Sequence, residues 1–378
     1  MLPIVVQKYG GSSVKDLTAI RAVAQRVSDT VKSGHCVVVV VSAMGNTTNE
    51  LLELARKVSA TPGRRELDML VSVGERIAMT LLSMAVSELG HPARSFTGSQ
   101  SGIITDEQHS NARVVAVRPT RILEALERGD VAIVAGFQGV SRDREVTTLG
   151  RGGSDTTAVA LAGALNARWC EICSDVDGIY SADPRAVPDA IRLDKISLEE
   201  ALAMARNGAR VLHDEAVAYA HKSGIELLAS ATAASTPGTR IQVDPLPPRV
   251  AAIAADSNLE RYQSSDMPSL LASLKETEAP IRLADSTQVI VDTRNWPDRA
   301  RLSLPAGAEC LGAIAMVAAV GSGVGSDLQV LQAGSKALSK AELQVISYST
   351  TPESVRWIVP IDRCEPAQQA LHSALISS

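Results

Sequence analysis

The stretch Glu145-Val-Thr-Thr-Leu-Gly-Arg-Gly-Gly-Ser-Asp-Thr-Thr-Ala158 places an arginine, glycines, a serine and an acid in a turn that opens an alanine-rich segment. Backbone amides at a helix N-terminus favour negative charge, and glycine lets a ligand approach the backbone closely. The stretch therefore predicts an anion-binding site where a helix begins.

Three further segments predict the same kind of site. They are Val5-Val-Gln-Lys-Tyr-Gly-Gly-Ser-Ser13, Val38-Val-Val-Val-Ser-Ala-Met-Gly-Asn-Thr-Thr48 and Ser174-Asp-Val-Asp-Gly-Ile-Tyr-Ser-Ala-Asp-Pro-Arg185. Taken with the first stretch and arranged in their order along the chain, these segments resemble the aspartate kinases of the amino acid kinase family. The resemblance runs from the first residues to about Ile241.

Short apolar runs alternate with amphipathic helical patterns over the first 240 or so residues, which is typical of a mostly parallel sheet covered by helices on both faces. The strands are expected at Ile4–Gln7, Cys36–Val41, Val131–Gly136, Trp169–Ser174 and Leu227–Ala229. Ligands of such sheets bind beyond the carboxyl ends of the strands. The fold class is therefore α/β, and the resemblance implies the amino acid kinase fold.

A proline-rich stretch, Thr236 to Arg249, closes this region, so we expect a catalytic domain over 1–243 and a smaller region over 244–378. The order of elements near the end, including strands at Glu342–Ser347 and Arg356–Pro360, resembles the ACT modules that follow the kinase domain in this family. The first module is degenerate, because Asp266-Met-Pro-Ser269 has serine where effector-sensing modules have glycine. The resemblance implies a regulatory and dimerisation role for this region.

Composition excludes several classes of partner. A net charge of −5 with 3% aromatic residues gives neither a basic stripe nor a stacking platform, so no nucleic-acid partner is expected. Apolar runs such as Cys36–Val41 are too short to span a bilayer, which predicts a cytoplasmic protein without a membrane partner. The spacing of Cys170 and Cys173 fits a redox or metal pair, but the pair falls in an expected strand and is interpreted as structural. No zinc-type spacing of histidines occurs, so no protein-built metal site is expected.

The resemblance assigns roles to individual residues. The expected catalytic residues are Lys8, Glu75 and Asp155. The expected ATP-binding residues are Lys8, Tyr9, Gly10, Gly11, Ser42, Ser174, Asp175, Tyr180, Asp183, Arg185 and Arg210. The expected substrate-binding residues are Thr47, Thr48, Glu75, Arg151, Gly152, Gly153 and Ser154.

Elementary chemistry supports some of these roles and leaves alternatives open. Lys8 suits a phosphate contact, and the alternative is an exposed lysine beside an ordinary turn. Arg151 can hold a carboxylate through two parallel hydrogen bonds. Asp155 is expected to orient the cationic groups, or to cap its helix. For Thr48 the alternative is helix capping by Thr48 or Asn49. Arg210 departs from the family's usual lysine, so nucleotide affinity or rate is expected to differ.

The implied activity is transfer of the γ-phosphoryl of ATP, with Mg²⁺ bridging the phosphates, to the β-carboxylate of L-aspartate. A carboxyl with a reference pKa of about 3.9 is already ionised at neutral pH, so no catalytic base is required. The product would lead towards the aspartate-family amino acids or specialised products. The alternatives are a kinase of another carboxylate such as N-acetylglutamate, or a non-catalytic regulatory subunit. A homodimer or a higher oligomer through the C-terminal region is also implied.

Overall fold

The computed structural model describes residues 2–209, 212–233, 237–294, 296 and 298–376. The chain forms two compact units, with the main boundary between Pro245 and Leu246. The units are not contiguous, because Tyr180–Ile191 and Ala203–Ala209 belong to the second unit. The single division expected at 243 therefore stays a prediction about domains, and it does not describe these two segments.

The elements up to residue 245 alternate in the expected way. The strands are β1 (Ile4–Tyr9), β2 (Cys36–Val41), β3 (Ala93–Phe96), β4 (Ile103–Thr105), β5 (Val114–Val117), β6 (Val131–Ala135), β7 (Gln138–Val140), β8 (Val146–Thr148), β9 (Cys170–Ser174), β10 (Ile179–Tyr180), β11 (Arg192–Leu193), β12 (Lys195–Ser197), β13 (Leu227–Ala231) and β14 (Thr239–Gln242). The helices are α1 (Leu17–Lys32), α2 (Thr47–Val58), α3 (Arg64–Val71), α4 (Val73–Glu88), α5 (Thr120–Glu127), α6 (Gly153–Ala164), α7 (Leu198–Arg206) and α8 (Asp214–Ser223).

The main sheet of the first unit has eight strands in the order β12-β14-β13-β9-β1-β2-β6-β3. Its central pairs are parallel, and β13 with β14 is the antiparallel pair among the described strands, so the edge strands β12 and β14 run opposite to the rest. The central strand β2 is buried from Val37 to Val41, as expected for a strand covered on both faces. Helices α1 and α4 share a core cluster with β1, β2 and β6. The predicted mostly parallel sheet is confirmed.

A second, four-stranded sheet in the first unit has the order β5-β4-β7-β8. The pattern of the sequence did not predict it. Two hairpin partners, β7 and β8, have three residues each, and β8 leads directly into the glycine-rich stretch that opens α6. The small sheet therefore carries the chain into the expected anion-binding turn.

The second unit is built on a six-stranded antiparallel sheet in the order β16-β17-β15-β18-β20-β19. Its strands are β15 (Ala252–Ser264), β16 (Ile281–Ala284), β17 (Gln288–Asp292), β18 (Ala308–Val320), β19 (Ser347–Thr351) and β20 (Ser354–Pro360), and its helices are α9 (Met267–Glu276), α10 (Leu328–Lys340) and α11 (Cys364–Leu375). The predicted smaller α+β region is confirmed.

The strand predicted at Glu342–Ser347 is wrong in position. Glu342 has a left-handed backbone (φ +54°), and the amide of Leu343 donates to the carbonyl of Leu338. This geometry is a helix C-terminal motif, so Glu342 and Leu343 belong to the turn that ends α10 and not to a strand. The strand itself begins at Ser347.

One stretch, Arg64–Glu88, is long and apolar enough to cross a membrane by length and composition alone. Half of its most apolar window is buried inside the protein. Ala78, Met79 and Leu82 belong to the core cluster beneath the main sheet. A buried helix of this kind is typical of a protein core and is weak support for a membrane span.

Candidate active site

Lys8 and Asp155 form an ion pair at the carboxyl end of the central strands. Lys8 lies near the end of β1, and Asp155 lies in the first turn of α6. The Nζ of Lys8 is 2.6 Å from the Oδ1 of Asp155, and both side chains are nearly buried. The Oδ1 atom makes no hydrogen bond of good geometry, so the contact is an ion pair rather than a directed hydrogen bond. The structure therefore brings two of the three expected catalytic residues together.

The helix that carries Asp155 begins at a glycine. Gly152 is the N-cap of α6 with a left-handed φ of +71°, and a Cβ at this position would lie 2.1 Å from the Cγ of His213. Only glycine fits both the backbone and the space. Asp155 is the third residue of the helix and not its cap, so the capping alternative for Asp155 is wrong. An acid in the first turn still faces the positive end of the helix dipole.

Glu75 is held in a buried position beside the second strand. It is 3% exposed, and its Oε1 accepts a hydrogen bond of 3.1 Å from the amide of Ala43. Its Oε2 is buried and has no hydrogen-bond partner among the described residues. Burial raises the pKa of Glu75 to about 7, and the backbone hydrogen bonds only partly oppose this. A cationic group next to Oε2 would satisfy the carboxylate, as expected for a residue that binds an ammonium group.

Close backbone packing joins the three segments that follow β1, β2 and α3. The amide of Ser42 donates to the carbonyl of Tyr9, and the amide of Gly45 donates to the carbonyl of Gly11. A Cβ at Gly74 would lie 2.7 Å from the Cβ of Ala43. These contacts place the Lys8 turn, the Ser42 segment and Glu75 at one edge of the sheet.

The remaining substrate-side residues lie at the starts of two helices. Thr47 begins α2, and its hydroxyl donates to the carbonyl of Met44 at 2.7 Å. The N-cap of α2 is Asn46, so the alternative of capping by Thr48 or Asn49 is wrong. A Cβ at Gly136, directly after β6, would lie 2.8 Å from the Cβ of Ser154.

Gly10, Gly153 and Arg151 occupy the two turns expected to hold anions. A Cβ at Gly10 would lie 3.5 Å from the Nζ of Lys8, so this glycine lies beside the ammonium group. Gly153 begins α6, and Arg151 lies exposed in the turn before it. Their roles towards a ligand stay predictions.

The predicted nucleotide-binding residues are divided between the two units. Ser174 ends β9 and Asp175 lies exposed directly after it, both in the first unit. Tyr180, Asp183 and Arg185 lie in a segment of the second unit, where the guanidinium of Arg185 donates two hydrogen bonds to Asp183. Arg210 lies outside the described residues. The roles of these residues towards ATP stay predictions.

Sequence reasoning missed a buried polar network beneath the site. Arg26 of α1 donates to the carbonyls of Ala231 and Thr232, at 2.6 and 2.9 Å, and its guanidinium lies 2.5 Å from the carboxylate of Glu171. Gln7 of β1 donates to the other carboxylate oxygen of Glu171 at 2.9 Å. The network ties β1, which carries Lys8, to β9 and to the end of β13. No sequence signal pointed to it, because its hydrogen-bonded partners lie up to 206 positions apart.

We expect Arg26→Lys to lower the free energy of unfolding by about 1–2 kcal/mol. A lysine ammonium keeps the charge but cannot bond two carbonyls and a carboxylate at once from one planar fork. Urea denaturation measures the change, and Arg21→Lys on the exposed face of α1 is the control, expected to stay within about 0.5 kcal/mol. Equal effects of the two substitutions would contradict the role of the fork.

The fold and the charged cluster define the class of protein: an α/β protein with a lysine and a helix N-terminus side by side at the carboxyl end of its central strands. The chain matches the profile of the amino acid kinase family over residues 3–228. It is 38% identical to an aspartokinase of Thermus thermophilus, covering 99% of this chain and 98% of that protein. It is 56% identical to the aspartokinase of Corynebacterium glutamicum over 241 residues, and there it spans 57% of the relative's length. Aspartokinase III of E. coli superposes with a TM-score of 0.84 at 25% identity, covering 99% of this chain and 100% of that chain.

The chain belongs to the amino acid kinase family, and within that family to the aspartokinases.

Proposed function

We propose that the protein transfers the γ-phosphoryl group of ATP to the β-carboxylate of L-aspartate and forms 4-phospho-L-aspartate. The observation that carries the proposal is the ion pair of Lys8 with Asp155 at the same sheet edge as the buried carboxylate of Glu75. The E. coli aspartokinase III structure contains aspartate and ADP, which supports both substrates. The full-length match to the Thermus thermophilus aspartokinase supports the same activity.

In this proposal separate residues bind the ammonium group of aspartate, its carboxylate and the nucleotide phosphates. Glu75 accepts the ammonium group of aspartate at its free Oε2, and Arg151 holds a carboxylate with Gly152 and Ser154 as backbone donors. The amide of Gly153 donates to the carbonyl of Gly150 instead, so Gly153 shapes the turn. Thr47 and Thr48 line the amino acid pocket. The Gly10 and Gly11 turn, with Ser42, contacts the nucleotide phosphates.

The reaction needs alignment and charge neutralisation rather than a base, because the attacking carboxylate is already ionised. An oxygen of the β-carboxylate forms a bond to the γ-phosphorus as the bond from that phosphorus to the ADP oxygen breaks. Lys8 stabilises the negative charge on the transferring group, and Asp155 orients the ammonium group of Lys8. Mg²⁺ enters as part of the nucleotide substrate, and the described residues contain no cluster of three or more candidate metal ligands.

We expect the purified chain to make an acyl phosphate from L-aspartate, ATP and magnesium. Trapping with hydroxylamine should give aspartyl hydroxamate, and N-acetylglutamate should give none. The assay measures substrate choice and self-sufficiency together. Hydroxamate from N-acetylglutamate alone would sink the substrate assignment, and none from either substrate would favour a non-catalytic subunit.

The division into a catalytic domain over 1–243 and a regulatory, dimer-forming ACT-like region over 244–378 also remains a proposal, as does a cytoplasmic location. The edge strand β19 supports assembly through the second unit. Among the described strands it pairs only with β20, and Tyr348 on it is 64% exposed. An unpaired edge of this kind is a ready surface for a second copy of the chain.

A further inference from the structure

A cavity of about 730 Å³ lies on the small sheet of the first unit. Its floor is a row of apolar side chains on three neighbouring strands, because Ile104 of β4 pairs with Ala116 of β5 and with Val140 of β7. A volume of this size is typical of small-molecule sites. Nothing in the proposed kinase mechanism uses this cavity.

Three arginines line the cavity, and they approach from two ends. Strands β5 and β7 run in opposite directions, since β4 is antiparallel to β5 and parallel to β7. Arg118 follows Ala116 by two residues, and Arg142 follows Val140 by two residues. With about 3.3 Å per extended residue, the two Cα atoms lie on the order of 13 Å apart along the strands. Arg144 lies on the same hairpin as Arg142.

The acids nearest in sequence do not line the cavity. Glu145 is engaged by Arg65 at 2.9 Å, and Asp106 accepts from the amides of Gln108 and Arg113. Asp143, at the tip of the hairpin, is exposed and is not a lining residue. Among the described residues, the three lining guanidinium groups have no hydrogen-bonding or ion-pair partner. The cavity is therefore positively charged at both ends and apolar in the middle.

The backbone of the hairpin adds a second observation. Arg144 has a left-handed φ of +67°, and its amide donates to the carbonyl of Ser141 in a three-residue turn that usually has glycine or asparagine at this position. A long side chain in this conformation is strained and persists where it has a use. The backbone of Arg118 is also held in place, because its amide donates to the carbonyl of Gly102 and a Cβ at Gly102 would lie 1.9 Å from its carbonyl oxygen.

We propose that this cavity binds an elongated organic dianion, with one acidic group at each end and an apolar body between them. Arg118 holds one end, Arg142 and Arg144 hold the other, and the row of Ala116, Ile104 and Val140 contacts the body. Guanidinium groups bind carboxylate or phosphate through paired hydrogen bonds, so either acidic group satisfies the site.

The test compares suberate, a dicarboxylate, with octanoate, which has the same chain length and one acidic group. Titration calorimetry on the full chain should give millimolar or tighter binding for suberate and at least tenfold weaker binding for octanoate. Arg118→Gln and Arg142→Gln should each weaken suberate binding at least tenfold. Arg56→Gln, an exposed arginine on α2, is the control and should leave it unchanged.

Arg144→Gly distinguishes a role of Arg144 in suberate binding from a role in stability. It should raise the melting temperature by about 2 °C through relief of the left-handed backbone, and it should weaken suberate binding in the same protein. Suberate that does not bind, that binds no better than octanoate, or that is unaffected by the arginine substitutions would overturn the proposal. Aspartate-dependent hydroxamate formation by the same variants is a separate measurement, so failure of the kinase proposal would be recognised independently.

Discussion

We expect Lys8→Met to lower the turnover number by about 10²- to 10³-fold while changing the Michaelis constant for aspartate only slightly. Methionine keeps much of the stem that packs near the end of β1 but removes the ammonium group, whose Nζ lies 2.6 Å from Asp155. That charge matters most where the phosphoryl group is between its donor and acceptor, and the loss of one such electrostatic donor costs about this much in other enzymes. Initial rates with both substrates varied would measure the split between turnover and binding.

Two further variants isolate the cause. Lys32 is exposed at the end of α1, away from the Lys8 turn. Lys32→Met removes one lysine charge there and should leave the rate unchanged. The double substitution Lys8→Met with Asp155→Asn removes the unpaired acid that Lys8→Met leaves behind. Near-normal turnover in Lys8→Met would remove Lys8 from the mechanism. Full recovery in the double variant would show that the lone carboxylate, rather than the missing ammonium, caused the loss.

The sequence could predict the main sheet and the position of Lys8 because both depend on local pattern. The run Cys36–Val41 forms β2 with those bounds, and β1 ends at the expected glycine turn. Motif resemblance placed Glu75 near a substrate. It could not provide the hydrogen bond from the amide of Ala43 or the free Oε2, since these depend on contacts between segments 32 positions apart.

Local pattern failed where strands are very short or irregular. The three-residue strands β7 and β8 are too brief for an alternating pattern to be recognised. The 13-residue strand β15 was missed because its register shifts between Asp256 and Leu259, which breaks the alternation of buried and exposed positions. The network of Arg26 and Glu171 was missed for a different reason: a charged residue on an amphipathic helix normally faces water.

The second large effect concerns Glu75. We expect Glu75→Gln to raise the Michaelis constant for aspartate on the order of 10²-fold, with a smaller change in turnover. An amide of the same shape can still accept from the amide of Ala43, but it cannot neutralise a buried ammonium group. Glu88→Gln, at the exposed end of the same helix, is the matched control. An unchanged Michaelis constant in Glu75→Gln would remove Glu75 from the binding site.

The pH dependence of aspartate binding gives this prediction an independent readout. The pKa of Glu75 is raised from its ordinary value of 4.5 to about 7 by burial, so below pH 7 the free enzyme holds a neutral carboxyl. The Michaelis constant for aspartate should therefore rise as the pH falls from 8 to 6, and Glu75→Gln should lack this dependence on Glu75.

The stability of the ligand-free protein should depend on the same group. Between pH 4.5 and 7 the folded state binds more protons at Glu75 than the unfolded state, so the free energy of unfolding falls as the pH rises through this window. Glutamine does not titrate, so the free energy of unfolding of Glu75→Gln should lack the part of the pH dependence that Glu75 causes in this window, measured by urea denaturation. Weaker aspartate binding together with the loss of this pH dependence is what a buried binding carboxylate requires, whereas an unchanged pH dependence of stability in Glu75→Gln would show that Glu75 does not titrate in this window.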